Sequence, residues 1–119
     1  MEKLINILSV MSDYKGSHEI NKPSNVKYIV YNLSQDDKNY LISAFDDHEF
    51  IDEAAYPNFH DVTSPSRVNS PELMSRMKYL LINPIIPDDL TDLEYCSIAT
   101  FVTAYLYDAK GIRVPLHIN

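Results

Sequence analysis

A chain of 119 residues, 45% hydrophobic and 23% charged, has the size and composition of one globular domain and leaves no room for a second ordinary core. Its formal net charge of −7 argues against sequence-independent nucleic-acid binding, which draws its affinity from Lys and Arg neutralising phosphates, and favours a basic partner instead. Two glycines, Gly16 and Gly111, exclude a glycine-rich phosphate loop, and a single cysteine, Cys96, excludes an internal disulfide.

The apolar runs Tyr79–Ile82 and Pro84–Pro87 fall far short of the roughly 18 residues that cross a bilayer, so no membrane span is expected. Met1–Met11 is interrupted by Asn6 and Ser9 and reads as part of the fold rather than as a leader. The lone cysteine fits a reducing compartment, and a cytoplasmic location is the expectation.

Leu4, Ile5, Leu8 and Met11 recur at helical spacing and predict an amphipathic helix over residues 2–13. Residues 15–25 mix breakers with turn formers and read as a loop. Val26–Tyr31 is largely β-branched and aromatic and short, the composition of a strand. Ser34 and Asp37 have the spacing of a capping box, which starts a helix with Tyr40, Leu41, Ala44 and Phe45 on its buried side. Asp46 and Asp47 oppose the negative end of its dipole and should close it. Residues 48–56 favour no element, and the prolines, serines and asparagines of 57–71 predict a long loop.

Ser70 as cap with Pro71 at the first helical position opens a helix whose face is Leu73, Met77, Leu80 and Leu81, ended by Asn83-Pro84. Thr91 and Glu94 form a second capping box ahead of Ile98, Phe101, Val102, Tyr105 and Leu106, the pattern of a central core helix, with Gly111 at its left-handed end. Ile112, Val114, Leu116 and Ile118 then alternate with polar residues or proline, and Pro115 would place this strand at a sheet edge. The expected class is therefore α+β, predominantly helical. It has about four helices and a small sheet formed by strands near 26–31 and 112–118.

Charge is concentrated along the chain. Between Asp36 and Asp61 eight acids stand against one base, Lys38, and between Asp88 and Asp108 five acids stand against none. Like charges packed together oppose folding, so a patch of this kind suggests a surface that meets a cation. The candidate partner-binding residues of the first window are Asp46, Asp47, Glu49, Asp52, Glu53 and Asp61. Tyr56 and Phe59, beside Pro57 in the expected loop, would be exposed aromatic anchors and cation–π partners. The second window adds Asp88, Asp89 and Asp92.

Chemistry is less well specified. His48 and Asp52 share a face if 46–53 is helical, and with His60 they could offer a metal two imidazoles and a carboxylate, but the spacing matches no established metal motif. Cys96, early in the core helix, reads as a small buried residue rather than a nucleophile. Tyr28, Tyr31 and Tyr105 lie on predicted elements and read as structural.

The expectation is a non-enzymatic protein-binding module without cofactor. In its leading form it is a stoichiometric inhibitor, such as an immunity protein neutralising a basic nuclease-type toxin, or an anti-defence protein. The alternative is a small metal-dependent hydrolase built on the His48–Asp61 cluster.

Overall fold

The computed structural model describes residues 2–12, 22–46, 54–63, 71–83 and 85–115. Within them lie six helices and no strand: α1 (Glu2–Met11), α2 (Lys22–Tyr31), α3 (Gln35–Asp46), α4 (Pro57–Thr63), α5 (Pro71–Ile82) and α6 (Asp92–Lys110).

The longest helix, α6, organises the rest. The Thr91 hydroxyl accepts a hydrogen bond from the Glu94 amide at 3.2 Å, and the Glu94 carboxylate accepts one from the Thr91 amide at 3.1 Å, closing the expected capping box. At the other end Gly111 turns the chain out at φ 67°, its amide and that of Ile112 donating to the carbonyls of Tyr107 and Leu106. Between the caps Ile98, Ala99, Phe101, Val102, Tyr105 and Leu106 are buried on several sides. Helices α1, α2, α4 and α5 all pack against α6, while α3 packs on α5. Leu4, Leu8 and Met11 of α1, Val26 and Ile29 of α2, Leu41 and Phe45 of α3 and Met77, Leu80 and Leu81 of α5 complete one core.

The expected α+β class is overturned, because both strands of the small sheet are absent from the described residues. Residues 26–31 belong to α2. The β-branched composition is overridden by burial at helical spacing: Val26 and Ile29, followed by Leu33, are buried, whereas Tyr31, read as structural, is 85% exposed. Residues 111–115 carry no strand either. The alternation read from the sequence persists there, with Val114 buried, Ile112 half-buried and Arg113 and Pro115 exposed, but the segment forms no regular secondary structure. The Pro115 carbonyl is anchored by the Ser9 hydroxyl of α1. Residues 116–118 of that strand lie outside the described residues.

The long loop expected over 57–71 is also revised, since 57–63 form α4. Pro57 is its first residue, where a missing amide costs nothing because that donor has no partner inside the helix. No helix among the described residues is long and apolar enough to cross a membrane.

Nothing lies within 4 Å of a Cβ built at Gly111, so only its left-handed backbone demands glycine. Gly111→Ala should therefore cost about 1–2 kcal/mol, and Gly111→Asn less, because Asn visits that region more readily. Urea unfolding measures this as a lower midpoint at unchanged slope.

Candidate functional site

The described acids of the two windows fall into two groups, those tied into the fold and those left at the surface. Asp46 ends α3 and forms an ion pair with Lys78 of α5. Arg76, two residues before Lys78 on α5, reaches both Asp89 at 2.7 Å and Glu94 at 2.9 Å, tying α5 to the turn before α6 and to its first helical turn. The Arg76 hydrogen bond and charge hold the Asp89 carboxyl below its usual range despite some desolvation. Asp92 is half-buried in the first turn of α6, where negative charge complements the helix dipole. Asp36 and Asp88 are exposed, and neither has an ion pair among the described residues. Asp47, Glu49, Asp52 and Glu53 lie outside the described residues, as does the side chain of Asp61.

Asp108, in the second acidic window, has a structural use that the sequence does not show. Its carboxylate accepts hydrogen bonds from the Phe59 amide at 2.6 Å and the Asn58 side-chain amide at 2.8 Å. The Phe59 amide lies in the first turn of α4, where intrahelical acceptors are lacking, so α6 supplies the cap that α4 lacks in its own sequence. The separation of 49 residues left no local signal.

Of the two aromatic anchors, Phe59 is corrected. Phe59 is fully buried at 0% exposure and Tyr56 is half-buried. The reason is α4, which turns Phe59 inward into a ring cluster. Tyr40 lies 5.0 Å from Tyr56, 5.5 Å from Phe59 and 5.0 Å from Tyr105, and Phe45 lies 5.1 Å from Phe101. Phe45 is core, as the helical spacing predicts. Cys96 is half-buried and directs its thiol at the Ser12 carbonyl 3.4 Å away.

Asp37 is the only buried acid among the described residues, 4% exposed. Its amide donates to the Ser34 hydroxyl at 3.1 Å and its carboxylate accepts from the Ser34 amide at 3.0 Å, the first capping box. The same carboxylate accepts from the Tyr105 hydroxyl at 2.7 Å and from the Lys110 ammonium at 3.1 Å, linking α3 to α6. Burial pushes its pKa up, but the hydrogen bonds from Tyr105, the Ser34 amide and Lys110 outweigh it, and the net shift is downward. Tyr105 is pushed up by burial and by the Asp37 charge, so it remains a neutral donor.

The proposed metal set is not assembled among the described residues: His48 and Asp52 lie outside them, and no group of three metal-ligating side chains occurs within them. Comparison with protein-family models, curated proteins and solved structures found no match.

Two measurements follow from the Asp37 site. Tyr105→Phe, which strips a donor from a buried carboxylate, should cost about 1.5–3 kcal/mol. Lys110→Met, removing a half-exposed cation, should cost about 1 kcal/mol or less. Chemical denaturation giving the reverse order would contradict this ranking. Because the folded-state pKa of Asp37 is depressed, its ionisation stabilises the fold above the unfolded value of about 3.9. That contribution is lost as pH falls through the folded value. The stability gap between the native chain and Asp37→Asn should thus be constant above about pH 5 and shrink towards pH 2.

Proposed function

We propose that the protein is a stoichiometric binding module that covers the cationic site of a basic partner. The form its chemistry favours is an inhibitor, an immunity protein of a nuclease-type toxin or an anti-defence protein. The observation that carries this reading is the excess of eight acids over one base between Asp36 and Asp61, in a chain whose total net charge is also −7. Exposed Asp36 and Asp88, without ion pairs among the described residues, support it.

Asp46 and Asp89 contribute differently from the way their sequence positions suggest, because Lys78 and Arg76 already partly neutralise them. The steering charge on this reading comes from Asp36, Asp88 and the acids of 47–53. Such rim charges act mainly on association rate and salt dependence.

Affinity capture from the native host, with the chain and with its Asp47→Lys, Glu49→Lys, Asp88→Lys variant as baits, tests the reading. A basic protein retained by the native chain should be lost or bound about tenfold more slowly by the variant, with a flattened salt dependence. Partners captured equally by both baits would overturn the acidic surface as the site of action.

A further inference from the structure

Between α2 and the end of α5 runs a groove of about 510 Å³ that is opposite in character to the acidic windows. Its floor is apolar core: Leu80 and Leu81 are buried and Val30 and Ile86 are half-buried against it. Its walls project outward, with Tyr31 85% and Ile82 64% exposed. Ile85, next to Ile86 in sequence, is 71% exposed. Large apolar side chains standing out around a closed apolar floor mark a surface that another molecule covers.

The cations of the molecule identify the chemistry of that occupant. Among the described residues Lys3 lies 4.6 Å from the Tyr28 ring centre, Arg113 lies 5.7 Å from that of Tyr107, and Arg76, Lys78 and Lys110 pair with carboxylates. Two further described cations, Lys27 and Lys38, have no ion pair there, and both line this groove. In a chain with seventeen acids and ten bases, two uncommitted lysines beside one apolar groove form a local charge opposite to that of the whole.

We propose that this groove docks an amphipathic segment of a partner protein, its apolar face seated between α2 and α5 and its flanking carboxylates on Lys27 and Lys38. A groove between two helices suits the apolar stripe of a helix, presented at i, i+3, i+4 and i+7. Walls as exposed as Tyr31 and Ile82 do not enclose a small ligand, whose pocket normally covers most of its surface. The site is independent of the acidic surface proposed above and selects the opposite charge.

The test is selection from a displayed library of helical 16-residue peptides against the full chain. One face is fixed as Leu and Ile, and the flanking positions sample Asp, Glu, Lys, Arg and Gln. Enriched peptides should carry Asp or Glu at the flanks. The affinity of a selected peptide should fall about tenfold in Lys27→Glu, Lys38→Glu and recover when its flanking acids are changed to Lys. Ile82→Asp, at an exposed wall position, should abolish binding while leaving the helical circular dichroism intact.

Enrichment of basic or neutral flanks, binders indifferent to Lys27 and Lys38, or no binder at all would overturn the proposal. So would dodecanoate filling the groove in place of any peptide. Self-association of the chain that is lost in the double lysine variant would assign the groove to a second copy and overturn it equally. None of these outcomes alters the capture experiment on the acidic surface, so the two readings stand or fall separately.

Discussion

The carboxylate of Asp37 sits where the first turn of α3 meets the last turns of α6 and accepts from the Ser34 amide, the Tyr105 hydroxyl and the Lys110 ammonium. Apolar faces such as Leu41 and Phe45 tolerate small slides of one helix over another, because burial is not directional. A buried charge does not. Once the dehydrated carboxylate has its donors, shifting α3 would strip it of the Tyr105 and Lys110 hydrogen bonds and leave only those of its own capping box. Asp37 is thus both a local cap and a long-range pin, and the docking of α3 depends on it.

The same economy of charge runs through the molecule. Arg76, Lys78 and Lys110 are each drawn to carboxylates of other elements, joining α5 to α3 and to the start of α6, and α3 to the end of α6. Asp108 performs the corresponding service for α4 with an anion in place of a cation. Several acids that look, in one dimension, like members of a solvated cluster are tied to other parts of the fold, and one of them, Asp37, is buried. The surface charge of the described residues is therefore more selective than the sequence count implies, and Lys27 and Lys38 become conspicuous against it.

Features encoded within four residues of one another were legible in the sequence. The Ser34–Asp37 and Thr91–Glu94 boxes, the proline opening α5, the apolar stripe of α6 and the Gly111 exit each rest on local geometry, and each occurs in the structure. The strand reading of Val26–Tyr31 failed because β-branched propensity is weaker than the burial of Val26 and Ile29 on one helical face. Pro57 carried the same helix-start signal as Pro71, and Phe59 and Val62 the matching i, i+3 spacing, but the surrounding prolines and serines suggested a loop. The cap from Asp108, the reach of Arg76 and the groove between α2 and α5 join distant segments, and no local pattern announces them.

Helix α5 occupies an unusual position with respect to both surfaces. Arg76 and Lys78 grip the acids at one stretch of it, while Leu80, Leu81 and Ile82 form the groove at the other, and Lys78 and Ile82 are separated by one helical turn. A rod of twelve residues has little internal compliance over that distance. The ion pairs of Arg76 and Lys78 therefore fix, through that stiff segment, the position of the apolar wall one turn further on.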